Sequence, residues 1–252
     1  MPEHPGTQRA KPLDGKVAIL HAGAAGWATP LTRALRDAGA KVALAAGSPD
    51  IATFGADTGA DLLLNGPFSD LSAVSVAVTR TVERFGRLDI LVNAPQAELF
   101  RPVSELSDSD LRSLFDRNAT SAFRWCKAAG AHMSRQPSGR IINFISGLGR
   151  RGLPNASAYS MTQAALEAMT QSLALEWAGT GIRVNGIGYG WTETSHRPVE
   201  EQQKERLVRY LPLRRKGHPD DFAGLLVYLA SDASGFVTGQ TVFLDGGAMA
   251  HA

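Results

Sequence analysis

Lys16-Val17-Ala18-Ile19-Leu20-His21-Ala22-Gly23-Ala24-Ala25-Gly26-Trp27-Ala28-Thr29-Pro30-Leu31 runs from a short apolar stretch through small residues into a helical pattern. The spacing predicts a strand over 16–20 and a helix over 29–38, with Thr29 as N-cap and Pro30 at the tolerated first position. In a parallel α/β sheet, such a strand-turn-helix is where backbone N–H groups and a helix N-terminus meet a pyrophosphate. Here the turn from His21 to Ala28 has few glycines for that task.

The same alternation continues outward. Apolar runs at 41–45, 61–64, 88–92, 140–145, 182–187 and 241–244 read as further strands. Between them, Leu71, Val74, Val78 and Val82 recur at helical spacing up to Gly86, and helices are predicted over 109–135, 157–178 and 220–230. Continuous apolar strands separated by helices argue for a parallel sheet covered on both faces. The expected fold is α/β: a Rossmann-like, doubly wound parallel sheet of about seven strands, flanked by helices. Residues 1–12 read as a lead-in and 13–252 as one domain.

The chain has 252 residues, 44% hydrophobic and 20% charged, enough for one domain with a substantial core. Its 26 basic and 24 acidic residues are interspersed, which gives no electrostatic reason to expect nucleic acid or an anionic membrane as a partner. No apolar stretch reaches membrane-spanning length and 1–11 carries no signal-peptide core, so a cytoplasmic location is expected. Cys126 is the only cysteine, which excludes an internal disulfide and argues against a metal cluster; beside Phe123, Trp125 and Ala128 it reads as an inert buried thiol.

Further along, Ser146 at a strand end and Tyr159 in the first turn of a helix stand thirteen positions apart, preceded by Asn118 in the long helix. Ile182-Arg183-Val184-Asn185, Leu229-Ala230-Ser231-Asp232, Thr238-Gly239-Gln240 and Leu244-Asp245-Gly246-Gly247 follow. In combination, from about Leu13 to Gly247, the chain resembles the single-domain short-chain dehydrogenases/reductases. The resemblance implies hydride transfer between NAD(P) and an alcohol or carbonyl. It implies a tyrosine as acid/base at Tyr159, a serine holding the substrate oxygen at Ser146 and an asparagine organising a relay water at Asn118. It also implies a lysine four residues after the tyrosine, and that position is Gln163.

Gln163 can hydrogen-bond a ribose but supplies no positive charge to lower the pKa of a phenol, ordinarily about 10. The other departures gather around the same ligand. Within the phosphate turn, Gly26 matches the pattern, while His21, Ala22 and Ala28 replace a threonine and two glycines, and Trp27 adds bulk. Pro30 is expected to delete a donor from the first helical turn. Ala46-Gly47 lacks the Asp or Arg that would hold a ribose or its phosphate, Gly66-Pro67-Phe68 replaces an Asp-Val pair near the adenine, and Asn93-Ala94-Pro95-Gln96 replaces Asn-Asn-Ala-Gly. Tyr189-Gly190 stands where the pattern has Pro-Gly, although Thr194 remains. Residual cofactor contacts therefore fall to Gly23, Gly26, Ala28, Asn93 and Thr194.

Three functions follow. The first is a non-catalytic or weakly catalytic subunit that binds no cofactor, in a homo- or hetero-oligomer with an active relative. It would pair through 109–135 and 157–178, where Leu166, Met169, Leu173 and Leu175 supply apolar surface. The second is an NAD(P)-dependent oxidoreductase with a tolerant site. The third is a redox-neutral Ser/Tyr enzyme resembling the halohydrin dehalogenases, which carry arginine where this chain has Gln163. Several residues keep two readings. His21 is an anion contact or a buried structural histidine, Asn118 a relay or the bridge of a helix kink, and Tyr189 and Trp191 line a cleft or pack the core. Trp27 reads as a plug. Residues 191–213 occupy the family's variable lid position, with Glu200, Glu201, Lys204, Glu205 and Arg206 on a solvated face.

Overall fold

The computed structural model describes residues 11–22, 25–47, 58–95, 97–193 and 197–250. Seven parallel strands form one sheet: β1 (Val17–Ala22), β2 (Lys41–Ala46), β3 (Leu62–Asn65), β4 (Ile90–Ala94), β5 (Gly139–Ser146), β6 (Ile182–Tyr189) and β7 (Thr241–Leu244). Their order is β3-β2-β1-β4-β5-β6-β7, so the chain builds outward from β1 and then reverses through β4. The register sets Leu20 between Leu44 and Val92. Every residue of β1, β4 and β5 is buried, as strands covered on both faces must be. Ligands of such sheets bind beyond the strand C-termini, where the order reverses between β1 and β4.

The helices are α1 (Ala25–Asp37), α2 (Leu71–Phe85), α3 (Asp108–Phe115), α4 (Ser121–Met133), α5 (Ser157–Glu176), α6 (Val199–Gln203) and α7 (Ala223–Ala230). On one face, Leu31 and Leu35 of α1 and Leu226 and Leu229 of α7 close over Leu20, Leu44 and Val92. On the other, Val74 and Val78 of α2 and Trp125, Ala129 and Met133 of α4 cover Ile19, Leu91 and Ile141. Helix α2 is capped where its sequence asks, with Asp70 accepting from the Ala73 N–H at 2.9 Å. Leu13 is fully buried in the same core as α1.

Two helical expectations change. Helix α1 begins at Ala25, four residues before the expected Thr29 cap, so Pro30 lies inside it. The cause is Trp27, which anchors the early turn by packing on Phe222, Tyr189 and Phe144, with ring centroids 5.0, 4.9 and 5.2 Å away. Pro30 therefore removes the bond to the Gly26 carbonyl rather than a donor of the first turn, and it takes nothing from an anion site. The helix expected over 109–135 is broken by a π-helical turn, Asp116–Thr120, with the buried Asn118 at its centre.

Trp27 is 4% exposed and touches three aromatic rings of the core. Trp27→Ala should lower unfolding free energy by about 3–5 kcal/mol. Urea denaturation checks this, and a loss under about 1 kcal/mol would mean that the indole is not part of the core.

Candidate active site

Ser146 is the last residue of β5 and Tyr159 the third of α5. Between them the chain makes a 3-10 turn, Gly147–Gly149, capped by Ser146 Oγ, which accepts from the Leu148 N–H at 3.3 Å. At Gly149 this turn comes so near α5 that a Cβ would stand 2.9 Å from the Ala164 nitrogen, so only glycine allows the approach. That closeness brings Gln163 against the strand end. Its Oε1 accepts from the Ser146 N–H at 2.9 Å, and its Nε2 donates to Thr162 Oγ1 at 3.3 Å. Gln163 is fully buried. The side chain is turned into the wall and occupies a backbone donor.

Tyr159 is buried, with Phe100 edge-on at 5.6 Å and its hydroxyl 2.9 Å from the hydroxyl of Tyr189, the last residue of β6. Burial pushes the Tyr159 phenol up to about 12, against weaker lowering from the Tyr189 and Ser146 hydroxyls. Burial raises Tyr189 well above the ordinary phenol as well. Both are neutral hydroxyls near pH 7 and can donate a hydrogen bond. Of the two arginines of the intervening loop, Arg150 pairs with Glu167 (Nε to Oε2, 2.9 Å) and covers the Phe243 ring at 4.7 Å. Arg151 lies over the Trp191 ring at 5.3 Å.

Asn118 resolves towards structure. Its Oδ1 accepts from the Ala97 N–H at 3.1 Å, and its Nδ2 donates to the Ala97 carbonyl at 2.8 Å and Thr162 Oγ1 at 3.1 Å. It ties the chain beyond β4 to the π turn and α5. Asn93 also faces inward, its Nδ2 donating to Asn143 Oδ1 at 2.9 Å, and Ala28 is fully buried in the core. Both side chains are engaged within the fold. Gly26 lies in the first turn of α1. Gly23 and Thr194 fall outside the described residues.

His21 is the buried structural histidine of its two readings. Its ring stacks on Trp125 at 5.2 Å, and Nε2 lies 3.5 Å from Ser121 Oγ. Trp125 in turn meets Phe68 at 5.1 Å, and Phe68 holds a left-handed φ of 42° to turn its ring inward. The segment after β3 also folds over the end of β2: a Cβ at Gly47 would stand 3.2 Å from the Gly66 carbonyl oxygen. Cys126 is buried, and desolvation pushes its thiol up to about 12, as expected of an inert core cysteine.

A cavity of about 300 Å³ opens beside Tyr159, lined by Ser146, Leu148, Tyr159, Tyr189, Trp191 and Met249 among others. Tyr189 and Trp191 thus take the cleft reading. Arg151 and Lys216 also line it, the latter buried although the run Arg214-Arg215-Lys216 reads in sequence as a solvated loop; so do Glu98 and Phe100, which sequence reasoning did not single out. The chain carried no signal for these two. Among the described residues no group of acidic, histidine or cysteine side chains could hold a metal, and no helix is long and apolar enough to cross a membrane.

Burial lowers the His21 pKa to about 4 from its ordinary 6.5, with Asn93 offsetting part of the effect. The unfolded chain then takes up a proton near 6.5, which the folded chain resists until about 4. The stability in question is present above pH 6.5 and is lost as pH falls to about 4, by up to about 3 kcal/mol. In His21→Gln, which cannot titrate, Tm should fall less steeply from pH 7 to about 4.5 than in the wild type. Parallel slopes would contradict a neutral, buried His21.

The family model described as "Enoyl-(Acyl carrier protein) reductase" matches residues 22–249. D-Threitol dehydrogenase of Mycolicibacterium smegmatis is 32% identical over 242 residues, 93% of each chain. A (2S)-[(R)-hydroxy(phenyl)methyl]succinyl-CoA dehydrogenase subunit, BbsC of Thauera aromatica, is 34% identical over 182 residues, 72% of each. Among solved structures, a gluconate 5-dehydrogenase from Burkholderia cenocepacia in complex with NADP and tartrate superposes with a TM-score of 0.84 at 28% identity, covering 96% of this chain and 98% of that one. With the strand order, the Ser146 and Tyr159 placement and a family match that spans nearly the whole sequence, this chain belongs to the short-chain dehydrogenase/reductase family.

Proposed function

We propose that this chain is a non-catalytic or weakly catalytic short-chain dehydrogenase/reductase subunit, acting as a scaffold in a homo- or hetero-oligomer with an active relative. The observation that carries this reading is the commitment of Gln163 to Ser146 N–H and Thr162, which leaves the Tyr159 phenol with no cation from the position where the family has its lysine. Burial raises the phenol further, so its neutral form is the one favoured at pH 7. Tyr159 is then a poor base for drawing a proton from an alcohol.

The described residues also fit a nicotinamide dinucleotide badly. The Tyr189 ring stands beside the Tyr159 hydroxyl with Trp27 packed against it. Gly66 and Pro67 approach the end of β2, and Asn93 is engaged with Asn143. For assembly, Leu166 and Leu173 do not serve as expected, since both are buried within the fold. Phe123 of α4 and Met161 and Leu175 of α5 remain exposed, at 48%, 51% and 81%. A relative named as a dehydrogenase subunit lends the reading support.

A second reading, an NAD(P)-dependent oxidoreductase acting on an alcohol or carbonyl, draws on other relatives. One is named a D-threitol dehydrogenase, and one solved neighbour holds NADP. Titration of the chain with NAD⁺, NADH, NADP⁺ and NADPH, followed by cofactor fluorescence and thermal shift, separates the two. The subunit reading expects no dissociation constant below about 100 μM, near −5.5 kcal/mol, and no hydride transfer in Gln163→Lys alone. Tighter binding of any of the four, or activity in Gln163→Lys, supports the oxidoreductase instead.

A further inference from the structure

Two cations line the cavity beside Tyr159, and they differ in one respect. Lys216 is 7% exposed and neutralised by Glu205, with Nζ 2.7 Å from Oε2. Arg151 has no carboxylate partner among the described residues, whereas its neighbour Arg150 is paired with Glu167. The Arg151 guanidinium is nevertheless held in place, over the Trp191 ring at 5.3 Å and by a bond from Nη1 to the Ala248 carbonyl at 3.3 Å. Two contacts fix its plane, and neither cancels its charge.

The rest of the wall is of a different kind. Phe100, Leu148, Leu153 and Met249 give it an apolar lining, and the Ser146, Tyr159 and Tyr189 hydroxyls converge at one end. About 300 Å³ is the lower end of the range for small-molecule sites, which are apolar with a few placed polar groups. A positioned, unneutralised arginine in such a wall suits a carboxylate, which its fork can take through two parallel N–H···O bonds. Glu98 is also in the lining, its carboxyl pKa raised by burial.

We propose that this cavity binds a small monocarboxylate with an aromatic or branched aliphatic body, its carboxylate on Arg151 and a hydroxyl or carbonyl oxygen on the Ser146 and Tyr159 hydroxyls, without a dinucleotide. Independence from the cofactor rests on the subunit reading above; the carboxylate preference stands apart from it. The chain would then be a ligand-responsive subunit, with α5, which carries Tyr159 and the exposed Leu175, joining the pocket to the surface proposed for assembly.

Isothermal titration calorimetry of the full chain with mandelate and with mandelamide, each with and without NAD⁺, tests this. The expected result is saturable mandelate binding that NAD⁺ does not alter, with the amide roughly tenfold weaker or worse. Arg151→Gln should bring mandelate down to the level of the amide, Arg151→Lys should keep part of the preference, and Arg206→Gln should leave it unchanged. Thermal melts of the variants establish that each is folded. Equal binding of acid and amide, or undiminished mandelate binding in Arg151→Gln, overturns the role of Arg151. Mandelate binding only in the presence of NAD⁺ overturns the cofactor-free site, and the subunit reading with it. Absence of saturable binding by either probe up to about 10 mM overturns the pocket proposal and leaves the subunit reading standing.

Discussion

The backbone N–H of Ser146 emerges at the end of β5, beyond the last register pair with β4, Asn93 with Asn143. Buried there, it must find an acceptor, and Gln163 Oε1 is the one it has, at 2.9 Å. Much of the site follows from this bond. It fixes the side chain of the fourth residue after Tyr159 against the strand rather than towards the cleft. It also joins α5 to β5 at the point where Gly149 lets them approach. A lysine at position 163 could not replace it, because an ammonium has no acceptor atom. The position that tunes a phenol in the family is here part of the structural frame.

The second constraint is aromatic filling at the C-terminal edge of the sheet. Trp27, Phe144, Tyr189 and Phe222 form one contiguous group on the α1 face, and His21, Trp125 and Phe68 form another on the α4 face. The left-handed φ of Phe68 carries a cost of order 1–3 kcal/mol, which a buried phenyl ring of this size can offset. These rings belong to the two cores that cover the sheet, and Tyr189 joins the first of them to the cavity beside Tyr159.

The fold was legible in the sequence because parallel strands buried on both faces are continuous apolar runs, and all seven were bracketed to within two residues. The start of α1 was not. Thr29-Pro30 is a good local signal, but the burial of Trp27 outweighs it, and nothing local says that an indole will point into the core. The kink at Asn118 was one of two readings there, and its partner Ala97, twenty-one positions away, could not be read from the spacing. At the site, Ser146, Tyr159 and the absence of a lysine could be read directly. That Gln163 faces the backbone, that Tyr189 meets Tyr159, and that Arg151 reaches the cavity while Arg150 does not, are facts of tertiary approach. Spacing along one chain does not encode them.

The subunit reading proposed above requires Gln163 and Tyr189 to keep a nicotinamide from Tyr159. A crystal structure of the chain grown with millimolar NAD⁺ tests it most directly. The account predicts the Gln163 Oε1 to Ser146 N–H bond and the Tyr159–Tyr189 hydroxyl pair, both at 2.9 Å, with no nicotinamide ring beside them. A nicotinamide against Tyr159, with Tyr189 swung aside and Gln163 turned to its ribose, would contradict it.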